Sequence, residues 1–126
     1  MRFRLAASLA VSLLAWPMIT TAQAQDVDAG KQLFAKKCGV CHSLIPGKRS
    51  VGPSLIGVVG TKAGTHDPGF AYSDEMKNSG KTWDQPTLDA FLTNPRAYIP
   101  GIKMLFAGLP EQSDRANLIA FLATLK

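Results

Sequence analysis

The sequence predicts a single all-α domain of three to five short helices, and three observations support this fold class. The chain has 126 residues, which is too few for more than one ordinary domain. Apolar residues recur at helical spacing in short segments, whereas the alternation typical of strands is almost absent. The segment 43–70 is rich in glycine and proline, and so long an irregular loop would not pack by itself in a small domain. We therefore expect an additional group to organise the core.

Residues 1–24 have the features of a cleaved signal peptide. Two arginines precede the apolar segment 5–19, and Ala22-Gln23-Ala24 matches the small-x-small pattern that a signal peptidase recognises. A retained membrane anchor is the alternative, but the apolar segment is short and Pro17 would bend it. The predicted mature chain is therefore 25–126, a single domain of 102 residues. Export indicates an oxidising compartment, which we interpret as the periplasm.

The composition is that of a globular protein, with 46% apolar and 18% charged residues. No further apolar run reaches the ~20 residues of a membrane-spanning helix, and there is no internal repeat, which argues against a transporter or a multidomain enzyme. The formal net charge of +5 falls to +3 when Arg2 and Arg4 leave with the signal, because 12 basic and 9 acidic side chains remain. So small and scattered an excess argues against nucleic acid as a partner.

The first two helices are predicted from their capping residues. Asp28 can cap a helix that runs to about Lys37. A short second helix is expected to begin at Ser73 or Asp74 and to end at Gly80.

Two further helices follow. Asp84-Gln85-Pro86 begins a helix that ends before Asn94-Pro95. After the turn at Pro100-Gly101, Ser113 caps the final helix.

The apolar face of the final helix should pack on the first helix, where Gly30 would permit a close approach. This face is formed by Leu118, Phe121, Leu122 and Leu125. The predicted core comprises Phe34, Leu55, Leu92, Leu118 and Phe121.

The strongest chemical signal is the pentapeptide Cys38-Gly39-Val40-Cys41-His42 at the end of the first helix. Two thiols at this spacing can each add across one vinyl group of a haem, and the adjacent histidine then lies beneath the iron as an axial ligand. A haem would also organise the loop 43–70, because its large apolar disc can serve as a core. We therefore predict one haem c, attached covalently through Cys38 and Cys41, with His42 as an iron ligand.

Three other chemistries use cysteines, and each fits this sequence less well. A structural zinc site needs four ligands, but the chain offers only the two cysteines, His42 and His66, and the neighbouring Cys41 and His42 lack the usual paired spacing. A dithiol redox motif is expected in a βαβ context, which the sequence does not have. A purely structural disulfide would form in an oxidising compartment and would leave the protein colourless.

The second iron ligand is predicted to be a methionine sulfur. Met1 and Met18 leave with the signal, so the candidates are Met76 and Met104. Met104 lies in a Pro-Gly loop before the last helix, whereas Met76 follows a helix start. The alternative role for a lone methionine is to fill space in the core. A filled sixth position favours electron transfer, whereas a haem enzyme such as a peroxidase, or a gas sensor, needs an open one.

From Asp28 to Lys126 the chain resembles the class I, mitochondrial-type cytochromes c of bacteria. The resemblance covers essentially the whole predicted mature chain. Beyond the attachment motif it rests on Gly52-Pro53-Ser54-Leu55, Pro68-Gly69-Phe70-Ala71-Tyr72, Thr82-Trp83, the segment 94–108 and Leu118-Ile119-Ala120-Phe121-Leu122.

The resemblance implies a small cytochrome c fold around one haem and the function of a soluble one-electron shuttle, not an enzyme. It implies His42 and Met104 as the axial pair. It further implies that the carbonyl of Pro53 accepts a hydrogen bond from His42, and that Tyr72 and Trp83 bond to a haem propionate. Without the resemblance, the proline would be interpreted as a turn former and the two aromatic residues as core.

The implied partners are transient redox proteins with acidic surfaces. The sequence is compatible with four classes of partner: a cytochrome bc complex, a dehydrogenase, a terminal oxidase and a photosynthetic reaction centre. A monomer is expected. Basic side chains near the motif and the Met104 loop would ring the exposed haem edge and raise the rate of docking, with a merely solvated basic face as the alternative. These side chains are Lys36, Lys37, Lys48, Arg49, Arg96 and Lys103. His66 is interpreted as a surface loop residue without a function.

Four positions depart from the pattern of the family. Ile102 stands where a threonine commonly bonds the inner propionate, and Phe91 stands where a tyrosine approaches the methionine sulfur. Met76 replaces a common asparagine, and Thr61 replaces a frequent arginine near a propionate, for which Lys62 can substitute. We expect drier surroundings behind the methionine ligand as a result.

Overall fold

The computed structural model describes residues 16–17 and 24–126. The predicted signal peptide lies almost entirely outside the described residues, so its cleavage and the domain boundaries 1–24 and 25–126 stay predictions. Within the described part, the chain forms α1 (Val27–Lys37), α2 (Asp74–Lys77), α3 (Gln85–Thr93), α4 (Pro95–Tyr98) and α5 (Gln112–Thr124). The all-α prediction is confirmed.

Helix α1 begins two residues before the predicted cap. The carboxylate of Asp26 accepts a hydrogen bond from the backbone N–H of Ala29 at 3.0 Å, so Asp26 is the N-cap and the prediction of Asp28 was wrong. Asp28 instead lies in the first turn, where its charge complements the helix dipole. The backbone N–H of Asp26 donates to the side-chain oxygen of Asn117 at 2.9 Å, which joins the start of α1 to α5.

The starts of α2 and α3 are as predicted. The hydroxyl of Ser73 accepts from the N–H of Met76 at 3.1 Å, and the carboxylate of Asp84 accepts from the N–H of Thr87 at 2.9 Å. Both bonds satisfy N–H groups that have no partner within the helix. Helix α2 ends at Lys77, short of the predicted end.

Helix α4 was not predicted. Asn94-Pro95 was predicted only as the end of α3, but proline also suits the first turn of a helix because its missing N–H is not needed there. The side chain of Asn94 accepts from the N–H of Ala97 at 3.2 Å and caps the new helix.

The predicted cap of α5 was also wrong. The carbonyl of Glu111 already accepts from the N–H of Arg115 at 3.2 Å, so the helix is under way before Ser113, which lies in its first turn. The cap position is Glu111, whose side chain makes no capping hydrogen bond.

The pairing of α1 with α5 is confirmed and forms one side of the core. The rings of Phe34 and Phe121 lie 5.8 Å apart, and Leu118 between the helices is only 1% exposed. A side chain at Gly30 would overlap the backbone carbonyl of Asn117, so only glycine permits this crossing. Of the predicted core residues, Leu55 is half-buried and the other four are buried.

The long loop after α1 closes the other side of the domain. It has almost no regular structure, apart from a bridge between Lys62 and Thr82. The N–H of Gly57 donates to the carbonyl of Leu125 at 3.0 Å, which fastens the loop to the end of α5. The loop and the helices together enclose the cavity described next. No helix among the described residues is long and apolar enough to cross a membrane.

Candidate functional site

A cavity of about 390 Å³ lies between the end of α1, the long loop, α2, α3 and the loop that precedes α5. All seven residues predicted to form the site line this cavity: Cys38, Cys41, His42, Pro53, Tyr72, Trp83 and Met104. Most of the remaining wall is apolar, with Leu88, Phe91 and Leu92 contributed by α3. The cavity is thus an apolar chamber with a few chemically distinct groups on its walls.

The cysteine motif reaches the cavity because the chain turns sharply at the end of α1. The N–H of Cys38 donates to the carbonyl of Phe34 at 2.8 Å and ends the helix. The carbonyl of Cys38 then accepts from the N–H groups of Cys41 at 3.0 Å and His42 at 2.9 Å. This turn brings both thiols and the imidazole to the same wall.

The ring of His42 is held in a fixed orientation. Its Nδ1–H donates to the carbonyl oxygen of Pro53 at 2.8 Å, which leaves Nε2 as the nitrogen with a free lone pair. A side chain at Gly52 would lie 2.5 Å from Cε1 of the ring, so glycine is needed where the loop passes the imidazole. Burial lowers the pKa of His42 below its usual value, and the hydrogen bond to Pro53 opposes this shift in part. The imidazole is therefore a neutral, oriented donor of one lone pair.

Met104 lies half-buried on the cavity wall, in a loop that three tethers fix. Lys103 Nζ donates to the carbonyl of Ala71 at 2.8 Å, and the N–H of Leu109 donates to the carbonyl of Leu92 at 2.7 Å. The third tether is Arg115, whose guanidinium donates to the carbonyls of Leu109 at 2.9 Å and Pro110 at 2.8 Å.

Arg115 is a residue that the sequence analysis missed. It is 8% exposed and also donates to the carboxylate of Asp89 on α3 at 2.7 Å. Its position three residues before Leu118 places it on the apolar face of α5. A charged residue on a buried face requires partners, and that pattern was the available signal.

Three of the four positions that depart from the family pattern line the cavity, and the drier surroundings expected from them stay a prediction. Ile102 and Phe91 are each 6% exposed, and both line the cavity together with Met76. Because Met76 shares the cavity with Met104, burial alone does not select one thioether over the other.

Tyr72 and Trp83 add a hydroxyl and an indole N–H to the residues that line the cavity. The hydroxyl oxygen of Tyr72 accepts from the N–H of Asp67 at 3.1 Å and keeps its own hydrogen to donate. Burial raises the pKa of Tyr72, so this hydroxyl stays protonated at neutral pH. Trp83 packs on Phe91 with ring centroids 4.8 Å apart, and its backbone N–H donates to the carbonyl of Thr61 at 2.9 Å.

The basic side chains of the predicted ring do not form one uniform set. Lys37 and Lys103 line the cavity, whereas Arg49 is engaged in an ion pair with Asp67. Two apolar side chains also lie at the cavity and project into solvent, since Val51 is 76% and Leu105 is 83% exposed. The cavity therefore opens onto a surface with both apolar and basic groups.

His66 lies in the long loop and keeps part of its surface exposed, as its interpretation as a surface loop residue implies. It is half-buried and is also one of the residues that line the cavity. The ring lies against Gly57, with Cε1 3.9 Å from the position that a Cβ would occupy there. This placement is not predictable from the sequence, because it depends on how the irregular loop folds back.

The alternative chemistries find no support in this geometry. Among the described residues, no group of three or more His, Cys, Asp or Glu side chains is arranged to hold a metal ion, as a zinc site would require. Burial raises the pKa of the Cys38 thiol to about 11, and the adjacent Cys41 adds to the shift. A reactive dithiol needs the opposite shift, because the thiolate is the nucleophile.

The residues present fit a haem. The cavity offers an apolar chamber for the ring, two thiols for thioether bonds, an oriented imidazole lone pair and a thioether. Together, an all-α fold and this donor set define the class of c-type haem proteins.

Comparison with known proteins specifies the family. The family model described as Cytochrome c matches residues 27–126. The cytochrome c2 of Rhodomicrobium vannielii is 56% identical over 102 residues, which cover 80% of this chain and 80% of the relative. The cytochrome c of Euglena viridis is 46% identical over 101 residues, 80% of this chain and 98% of the relative. The chain belongs to the cytochrome c family.

A solved structure gives the same result for the fold. Cytochrome cH from Methylobacterium extorquens superposes with a TM-score of 0.74 at 44% identity, covering 79% of this chain and 98% of that one. The predicted cytochrome c fold and the resemblance to the class I bacterial proteins are confirmed. The cofactor is one covalent haem c, and the chain is an electron carrier, not an enzyme.

Proposed function

We propose that the chain is a periplasmic one-electron shuttle whose haem is attached through Cys38 and Cys41 and is ligated by His42 and Met104. The observation that carries this proposal is the convergence of all seven predicted site residues on one cavity. When bound, the haem supplies an iron that alternates between the ferric and ferrous states. His42 and Met104 would hold the iron, and the cavity would limit the access of water to it.

The choice of Met104 over Met76 rests on chain geometry together with the family resemblance. Met104 belongs to a loop that Lys103, Leu109 and Arg115 tether to the rest of the domain, as a ligand that must hold its position requires. A thioether ligand favours ferrous iron and raises the reduction potential. A filled sixth position leaves no room for peroxide or gas chemistry.

Pro53, Tyr72 and Trp83 act as supporting residues in this proposal. Pro53 fixes the orientation of His42 through the 2.8 Å hydrogen bond and increases the basicity of its Nε2. The free hydroxyl hydrogen of Tyr72 and the indole N–H of Trp83 are donors for a haem propionate, since both side chains line the cavity.

The proposed location follows from the N-terminal sequence. Cleavage after residue 24 would release the domain 25–126 into the periplasm, where the protein would act as a monomer. Cytochromes c2 are among its relatives, which supports a bacterial electron carrier that works with partner complexes.

The proposed partners are acidic-surfaced redox proteins that dock at the mouth of the cavity. A cytochrome bc complex, an oxidase, a dehydrogenase and a reaction centre are the candidate classes. The exposed Val51 and Leu105 would form the apolar centre of the contact, and Lys37 would steer an acidic partner towards it.

Electron transfer to such a partner should slow as salt rises. Exposed charges are screened over about 8–10 Å at physiological ionic strength, so we expect the bimolecular rate to fall by on the order of tenfold between low salt and high salt. Charge reversal in Lys37→Glu should slow the low-salt reaction more than the matched reversal Lys126→Glu. Stopped-flow kinetics with a solubilised membrane complex measures both rates, and equal effects of the two variants would remove the docking surface from the proposal.

An optical spectrum tests the function itself. Purified holoprotein should show a reversible one-electron change between oxidised and reduced spectra, and carbon monoxide should leave the reduced spectrum unchanged because the sixth position is filled. Rapid carbon monoxide binding by the unmodified protein would favour a haem enzyme or a gas sensor and would contradict the shuttle.

A further inference from the structure

Arg49 and Asp67 form an ion pair between two parts of the long loop. The guanidinium donates to both carboxylate oxygens, from Nε at 2.7 Å and from one terminal nitrogen at 2.6 Å. Most ion pairs between exposed side chains contribute little to stability. This pair is bidentate, and the side chain of Asp67 is only 11% exposed, so the geometry is well defined.

Gly69 makes room for the ion pair. Its N–H donates to the carboxylate of Asp67 at 3.2 Å, which adds a third hydrogen bond to that group. A Cβ at Gly69 would overlap the guanidinium of Arg49. The guanidinium therefore lies directly against the backbone of the turn that carries Asp67.

The other end of the pair is held beside the cysteine motif. The N–H of Ser50, the residue after Arg49, donates to the carbonyl of Gly52 at 3.1 Å. The N–H of Gly52 in turn donates to the carbonyl of Cys41 at 2.8 Å. The ion pair thus connects the segment next to the haem attachment motif to the turn 67–72.

Within this turn, the backbone of Asp67 supports the side chain of Tyr72. The N–H of Asp67 donates to the hydroxyl oxygen of Tyr72 at 3.1 Å, and its carbonyl accepts from the N–H of Phe70 at 3.0 Å. The rings of Phe70 and Tyr72 meet edge to face with centroids 4.9 Å apart. The hydroxyl of Tyr72 is therefore placed by the same residue whose carboxylate Arg49 holds.

We propose that Arg49 and Asp67 are positioning residues for the hydroxyl of Tyr72, and that they thereby set the strength of its hydrogen bond to a haem propionate. This inference rests on the proposed function, which makes Tyr72 a donor to that propionate. Tyr72 lines the cavity, whereas neither side chain of the ion pair does, so the pair acts on the haem through Tyr72.

The direction of the effect follows from charge. A hydrogen bond from Tyr72 withdraws negative charge from the propionate, and a weaker bond leaves more of that charge to act on the iron. Negative charge favours the ferric state, because ferric iron carries one more positive charge than ferrous iron. Loosening the hydroxyl of Tyr72 should therefore lower the reduction potential.

The neutral double variant Arg49→Gln/Asp67→Asn tests the proposal. It removes the ion pair but leaves the net charge unchanged, so the opposite fields of the two lost charges largely cancel at the iron. We expect the ratio of ferrous to ferric protein at a fixed potential to fall about two- to fivefold, which is about 20–40 mV at 59 mV per tenfold change. A redox titration of the holoprotein measures this shift, and a wild-type potential would overturn the proposal.

Asp74→Asn/Lys77→Gln is the control for the loss of an ion pair as such. These two side chains pair at 2.9 Å on the surface, where that of Asp74 is 82% exposed. The control should keep the wild-type potential. A fall as large as that of the Arg49/Asp67 variant would assign the effect to surface charge and contradict the proposal.

A cycle with Tyr72→Phe shows whether the ion pair acts through the hydroxyl. Tyr72→Phe alone should lower the potential, because it removes the donor without changing any charge. Adding Arg49→Gln/Asp67→Asn to this variant should then give no further fall, since the two changes interrupt the same interaction. A second fall of the same size would show that the pair acts independently of Tyr72 and would overturn the proposal.

Hydrogen exchange provides a readout that does not depend on the potential. The backbone amide of Asp67, followed by NMR in the ferrous holoprotein, should exchange about tenfold faster in the neutral double variant, because the turn is no longer held by Arg49. Wild-type protection of this amide would mean that the ion pair does not position the turn, which contradicts the proposal.

The two proposals fail in different ways. A wild-type potential in Tyr72→Phe would remove Tyr72 as a propionate donor and would overturn this inference with it. A fall in Tyr72→Phe without a fall in the neutral double variant would overturn this inference alone. The response of the reduced spectrum to carbon monoxide tests the shuttle in either case.

Discussion

Replacement of Met104 by alanine is expected to open the sixth coordination position of the iron. The ferric protein should lose the weak near-infrared band of sulfur ligation, and the ferrous protein should gain carbon monoxide binding. The reduction potential should fall by on the order of 0.1–0.3 V, because axial ligands tune haem potentials over about 0.8 V. Optical spectroscopy and a redox titration in one buffer measure all three effects.

Met76→Ala is the matched control, because both methionines line the same cavity and each variant removes the same atoms. The Met76 variant should keep its sulfur band, its indifference to carbon monoxide and nearly its full potential. The reverse pattern would transfer the ligand role to Met76. Retention of the band in both single variants would mean that the sixth ligand is not a methionine.

Replacement of Cys38 or Cys41 by alanine should sharply reduce the yield of holoprotein. Wild-type haem should stay with the polypeptide through denaturation and acid-organic extraction, since thioether bonds are covalent. Without haem, the apolar cavity wall, which includes Leu88, Phe91 and Leu92, would lose its packing partner and face water. The net stability of a domain is only about 5–15 kcal/mol, so the apoprotein should be largely unfolded.

Haem staining of a denaturing gel and circular dichroism check these two outcomes. Val40→Ala is a suitable control because it changes the same pentapeptide at a side chain that is 76% exposed, and it should give normal holoprotein. Haem released into the organic phase from the wild-type protein would refute covalent attachment.

The parts of this protein that the sequence predicted correctly depend on local chemistry. Ser73 and Asp84 begin helices because the side chain of each accepts a hydrogen bond from the backbone N–H three positions later in the chain. The pairing of α1 with α5 follows from the apolar face around Leu118 and from the space at Gly30. Competing local signals explain the errors, since Asp26 and Asp28 are both suitable caps and only the folded chain selects the first.

Non-local contacts account for what the sequence did not reveal. Arg115 donates hydrogen bonds to Leu109 and Pro110, which are nearby in the chain. Its bond to Asp89 forms only because α3 lies beside α5. His66 lines the cavity beside Asp67, which pairs with Arg49, 18 positions earlier in the chain. No periodicity or cap marks the contact between Asp67 and Arg49.

The hydrogen bonds that Arg115 donates to the Met104 loop restrict how that loop can open. To swing away, the loop would have to break the hydrogen bonds that the guanidinium of Arg115 donates to the carbonyls of Leu109 and Pro110. The buried guanidinium would then keep Asp89 as its remaining partner. An unpaired buried charge is costly, so we expect the loop and the first turn of α5 to open together. If Met104 ligates the iron as proposed, the lifetime of that bond would therefore depend partly on Arg115, a side chain that would contact neither the sulfur nor the iron.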